Sequence, residues 1–154
     1  MSSHNSIMIP WWIERGVVMT YVMDATLTNP RFEQKNQVRI PGGGEKEGES
    51  PLDTAHREFK EETGWVIKKK YRPLLIQREL KVGNHLKTAW LVPREACRGR
   101  LRTRPLYEGD AILEPPRPVT FDEAIRTVHR SRSNSFNLLA LEKAHEMIKE
   151  RFGL

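Results

Sequence analysis

Apolar positions along the chain follow two periods, and those periods predict its elements. "GVVMTYVMD", Gly16 to Asp24, is β-branched and apolar almost throughout, which predicts a buried strand. "QVRIP" predicts a short strand stopped by Pro41, while "RPLLIQREL" and "LKTAWLVP" predict a hairpin across "KVGNH". "TLTNPRF" turns at Asn29-Pro30, and "RPLYEGDAILEPP" holds a further short strand before Pro115 and Pro116. Elsewhere the period becomes helical. Between Pro51 and Thr63, the residues Leu52, Ala55, His56, Phe59 and Thr63 share one stripe at about 100° per residue. Thr120 and Glu123 form a capping box opening a helix through about His129. A last helix after Asn134 carries Leu138, Leu141, Ala144, Met147, Ile148 and Phe152 on one stripe. Strands with one central and two late helices predict an α/β (α+β) fold with a mixed sheet between helices.

Composition narrows the class. A chain of 154 residues suits a single domain over residues 1–154 with a core of its own, and residues 1–8 read as a loose polar lead-in. With 38% hydrophobic and 30% charged residues it has the make-up of a soluble globular protein. A single cysteine, Cys97, excludes an internal disulfide and fits a reducing cytoplasm. No apolar run approaches the ~20 residues of a membrane span, and "MSSHNSIMIPWW" lacks the design of a signal peptide. The net charge of +6 favours acidic partners such as polyphosphates or nucleic acid. Much of it lies in "KKKYR" (Lys68 to Arg72) and "REACRGRLRTR" (Arg94 to Arg104). An extended second run would put Arg98, Arg100, Arg102 and Arg104 on one face as a phosphate-binding edge. A solvated basic loop is the simpler reading.

The central helix has good ends: Ser50 as N-cap, Pro51 at the first position, Asp53 three after the cap and Gly64 just past the last turn. Its charges are badly placed. Glu58, Glu61 and Glu62 repel one another at helical spacing and crowd the end where the macrodipole favours cations. They occupy the arc beside the apolar stripe, at the edge of the buried face. A solvated acidic face would tolerate this. A partly buried trio of carboxylates requires a cation in the same space, and hard oxygen ligands suit Mg²⁺. Next to them "PGGGEKEGES" offers Gly42, Gly43 and Gly44, where bare backbone can approach a ligand.

The combination is specific. Gly43, five residues, Glu49, seven residues, Arg57-Glu58-Phe59, one residue, Glu61-Glu62, one residue, then Gly64-Trp65 resembles the box of the Nudix hydrolases. Trp65 departs from the family's usual aliphatic residue, which bears on packing behind the helix. The resemblance implies an α/β/α sandwich and Mg²⁺-dependent (or Mn²⁺-dependent) cleavage of a nucleoside diphosphate joined to another group. That covers nucleoside triphosphates, dinucleoside polyphosphates and nucleotide sugars. Glu58, Glu61, Glu62 and a main-chain oxygen at Gly42 or Gly43 would hold the metal, with Glu62 the first direct ligand and Glu58 a ligand or the base. Arg57 would orient the carboxylates through a salt bridge, braced by Glu49. A further acid from outside the box would be Glu108, Asp110 or Glu114.

Other residues read as structural first. Trp11, Trp12, Tyr21, Tyr71, Trp90 and Tyr107 belong to core or rim before base stacking, with Trp11 and Trp12 placed ahead of the first buried strand. His56 reads as a satisfied core histidine, and Cys97 as an inert thiol. The stripe of the last helix is core, with a homodimer contact as runner-up. Two rival functions stand beside the hydrolase: a nucleotide-binding regulatory domain without turnover, and an RNA 5′-end pyrophosphohydrolase suggested by the basic patches.

Overall fold

A computed structural model describes residues 3–31, 36–129 and 135–154. Met1, Ser2, Phe32 of the expected turn and Asn134 ahead of the last helix lie outside them. Strands β1 (Ser3–Glu14), β2 (Val17–Leu27), β3 (Asn36–Arg39) and β4 (Gly42–Gly44) precede helix α1 (Pro51–Thr63). There follow β5 (Trp65–Ile67), β6 (Leu74–Lys81), β7 (His85–Pro93), β8 (Cys97–Gly99), β9 (Leu106–Glu108), β10 (Ala111–Leu113) and β11 (Arg117–Thr120). Helices α2 (Phe121–Thr127) and α3 (Phe136–Phe152) complete the described chain.

A mixed sheet of nine strands runs β6-β7-β1-β2-β10-β9, with β3 and β11 on β2 and β4 on β1. The β1–β7 pair is parallel and the others are antiparallel. A small second sheet pairs β5 with β8. One face of the large sheet packs Met8 and Val92 against Ala55 and Phe59 of α1. The other packs Ile7, Ile9, Val22 and Leu91 against Phe121 of α2 and Ala140, Leu141, Ala144 and Ile148 of α3. The helices therefore flank a mixed sheet, as the pattern of elements predicts. No helix among the described residues is long and apolar enough to cross a membrane.

Two expectations fail. Residues 3–8 are not a loose lead-in: they form the first half of β1, and Ser6, Ile7 and Met8 are buried. Trp11 and Trp12 accordingly lie within the first strand, not ahead of it. Pro10 hides this strand from a propensity reading, because proline usually marks an edge. Opposite β7, β1 pairs with β4 over Asn5–Ile7 and with β2 over Trp12–Glu14. Pro10 falls in the gap between these pairings, so its missing N–H interrupts neither. The glycines form the short strand β4. A Cβ on Gly42 would lie 2.5 Å from the Ser6 carbonyl oxygen, so only bare backbone pairs this closely with β1. "RPLYEGDAILEPP" holds two short strands, β9 and β10, where one is expected.

Candidate active site

Helix α1 begins and ends where its caps dictate. Ser50 Oγ accepts from the Asp53 N–H at 3.2 Å, and Asp53 Oδ2 accepts from the Ser50 N–H at 3.3 Å. Gly64 closes the helix at φ 85°, its N–H donating to the Lys60 carbonyl. With Ala55 and Phe59 turned into the core, the same face carries Glu58 and Glu62 inward. They are 6% and 4% exposed, while Glu61 stays at the surface.

Arg57 organises the acids. Its Nε donates to Glu49 Oε2 at 2.7 Å and one Nη to Glu49 Oε1 at 3.0 Å, a forked pair. The same Nη reaches the Gly44 carbonyl at 2.8 Å, while the other donates to Glu58 Oε1 at 3.0 Å and to Glu61 at 3.3 Å. Glu49 also accepts from the Lys46 N–H and the Thr54 hydroxyl. The Arg57 hydrogen bond, foremost, holds the Glu49 carboxyl down at about 2.

Glu62 and Glu58 move the other way. Burial raises Glu62 well above the usual carboxylate range, with the Glu108 and Glu58 charges adding and the Gly42 N–H (2.7 Å from Oε1) opposing. Burial also raises Glu58, helped by Glu108 and opposed by Arg57. Glu58, Glu61 and Glu108 bring carboxylate oxygens within 4.8 Å of one another. Of the three acids outside the box, the structure brings Glu108, on β9, to the cluster. Asp110 sits in the exposed turn beyond it, where its carbonyl accepts from Thr28.

A hard divalent cation fits this donor set. Glu58 Oε2 is buried without a partner, although Oε1 is satisfied. The Glu58 carboxyl rests against Gly43, where a Cβ would fall 2.6 Å from its Cδ. An anionic oxygen kept dry and unpaired costs several kcal/mol unless protonated or matched by a positive charge.

Gly42 and Gly43 also line a cleft of about 320 Å³. Gln37, Arg39, Lys87, His129 and Asn137 line it too, residues the sequence reading did not single out. Arg39 Nε donates to Gln37 Oε1 at 3.0 Å, and Gln37 Nε2 lies 3.3 Å from His129 Nε2. Lys87 left one signal. In "LKTAW" it shares the alternation of Ala89 and Leu91, so its strand carries a cation on an inward-facing row.

The basic run behaves differently from an edge. β8 stops at Gly99, so Arg98, Arg100, Arg102 and Arg104 do not share one extended face. Arg98, Arg100 and Arg104 are exposed. Arg102 turns inward: Nε donates to the Glu62 carbonyl at 2.7 Å, and its Nη groups donate to the carbonyls of Leu113 (3.0 Å), Glu114 (2.9 Å) and Arg104. Its donors are spent on main chain, which leaves them unsuited to a substrate. His56 is half-buried with a pKa lowered by burial, and burial pushes the Cys97 thiol up to about 12. Trp65 stacks edge-on against Tyr21 at 5.1 Å beneath the helix.

The family model of the NUDIX domain matches residues 15–132 of this chain. No curated protein matches the sequence. Among solved structures the chain is similar to a mutT/nudix family protein from Listeria innocua, with TM-score 0.60 and 22% identity, covering 97% of this chain and 96% of that one. A NUDIX hydrolase from Nitrosomonas europaea is similar at TM-score 0.59 and 16% identity, covering 96% and 90%. The NUDIX domain of Shewanella oneidensis NrtR, solved with ADP ribose, is similar at TM-score 0.60 and 11% identity, covering 96% and 89%.

Proposed function

The chain belongs to the NUDIX domain family of pyrophosphohydrolases, and from that premise we propose that it cleaves the pyrophosphate linkage of a nucleoside diphosphate derivative with Mg²⁺ or Mn²⁺. One observation carries the reading: the buried, unpartnered Oε2 of Glu58 beside the carboxylates of Glu61 and Glu108.

Glu58, Glu61, Glu62 and Glu108 would hold the cation, with Gly43 offering a main-chain oxygen. When bound, the cation supplies Lewis acidity toward phosphate oxygens and lowers the pKa of water. The residues of the chain do the rest. Arg57, locked by Glu49, fixes the Glu58 and Glu61 carboxylates in one arrangement. Glu58 Oε2, the carboxylate oxygen that Arg57 leaves free, takes the proton of the attacking water. Water oxygen bonds to phosphorus, the bridging P–O bond breaks, and two phosphate-bearing products leave. Arg39 and Lys87 bring positive charge to the cleft beside the glycines, suited to the polyphosphate, while Gln37 and Asn137 offer amides to the nucleoside.

The test is product formation from dGTP, ADP-ribose, diadenosine tetraphosphate and UDP-glucose with Mg²⁺. Glu58→Gln should lower kcat by about 10²–10⁴-fold, the range for losing a positioned base. Equal turnover by the two proteins would refute the mechanism. Tight binding of any of these nucleotides with no turnover by wild type would make the chain a binding domain.

A further inference from the structure

His4 lies on β1, outside the box, and is 9% exposed. Its Nε2 is 2.9 Å from the Glu49 main-chain oxygen and 3.1 Å from Glu45 Oε2. Both partners are acceptors, so Nε2 carries a proton and donates. The backbone of the same residue completes the grip: the His4 N–H donates to Glu45 Oε1 at 3.0 Å, and the Glu45 N–H donates to the His4 carbonyl at 3.1 Å. Both ends of the segment from Glu45 to Glu49 are thereby fixed to the first strand.

That segment joins β4 to α1 and ends one residue before the N-cap, Ser50. Its one tie from the Glu49 side chain to the acids is the forked pair with Arg57. We propose that His4 is a positioning residue for the active site: its Nε2–H pins the Glu49 main chain so that the Glu49 carboxylate meets Arg57, and through Arg57 sets Glu58 and Glu61. The order of action is His4 to Glu49 to Arg57 to the acids. His4 touches none of the acids of the cluster. Without its imidazole the Glu45 end keeps its two bonds to the His4 main chain, and Glu49 keeps its bonds with Lys46 and Thr54, but the main chain at Glu49 loses its tie to β1. The inference deepens the hydrolase reading and relies on it for its metal arm alone.

The experiment uses the full chain. The wild-type Arg57 Nε–H, hydrogen-bonded to Glu49, should give a protected ¹H–¹⁵N signal, assigned by its disappearance in Arg57→Lys. His4→Leu should lose that signal and bind Mn²⁺ about tenfold more weakly by calorimetry. His4→Gln, whose amide nitrogen sits where Nε2 does, should restore both. His4→Asn, whose amide is one bond shorter, should behave as His4→Leu and stands in if the leucine variant fails to fold. A folded His4→Leu or His4→Asn with the Arg57 signal unchanged would overturn the proposal. A lost signal with unmoved Mn²⁺ affinity would overturn the coupling to the acids. Signal loss and rescue in a chain whose wild type binds no Mn²⁺ would uphold the His4 anchor and sink the metal reading.

Discussion

At the residue scale the acids of the site pull stability in opposite directions with pH. Burial raises Glu58 and Glu62 above the ordinary carboxylate range, so the folded chain binds their protons more tightly than the unfolded chain. Without a cation, their contribution falls as pH rises from the ordinary carboxylate pKa through the raised one. Glu49 has the reverse sign. Held at about 2, its pairing with Arg57 contributes fully above the ordinary glutamate value of 4.5 and is lost as pH falls toward 2. Metal-free protein should therefore show its highest urea midpoint in weak acid, and excess Mn²⁺ should move that maximum toward neutral pH. Glu62→Gln should flatten the neutral-side decline and, in EDTA at pH 8, raise stability by about 1–3 kcal/mol, whereas with Mg²⁺ present it should abolish turnover. The box itself was legible in the sequence because its acids and glycines are contiguous. The choice of Glu108 over Asp110 was not, since both sit near one tight turn.

At the scale of elements, the short strand β4 and the arginine behind the helix decide whether the box is assembled. A Cβ on Gly42 would meet the Ser6 carbonyl at 2.5 Å and Ile7 Cα at 2.8 Å, both backbone. On Gly43 it would meet the Glu58 carboxyl at 2.6 Å, and on Gly44 the end of the Asn5 side chain at 3.3 Å. The expected order of harm follows. Gly42→Ala destabilises by roughly 1–3 kcal/mol, Gly43→Ala displaces Glu58 and loses activity at smaller stability cost, and Gly44→Ala is tolerated. Urea unfolding beside kcat measurements separates the three. Arg102 ties the end of α1 to β10, one strand from Glu108. Arg102→Lys should cost about 2–3 kcal/mol, because one ammonium cannot serve four carbonyls, whereas Arg98→Ala and Arg100→Ala should stay within roughly 0.5 kcal/mol. Nothing in the alternation of arginines distinguishes Arg102, since its inward turn depends on where β10 ends.

At the scale of the whole molecule, the cation is expected to be a passenger of the fold. The sheet buries apolar side chains on both faces, so EDTA should abolish turnover while leaving circular dichroism unchanged. Returning Mn²⁺ at 100 times its Kd should add about 2.7 kcal/mol, read as a higher Tm. The division between what one dimension and three dimensions settle is physical. Periodicity, caps and the box spacing placed α1 to the residue and predicted a mixed sheet between helices, because helical neighbours are neighbours in sequence and burial is written into the alternation. β1 escapes local propensity because a polar start and a proline mask a strand whose burial comes from β7, β2 and β4. The meeting of Glu108 with Glu58, the inward turn of Arg102, the grip of His4 on Glu49 and the cleft beside Gly42 all join residues distant in the chain. No local propensity encodes such contacts; they exist once the sheet has closed, and tertiary packing alone decides them.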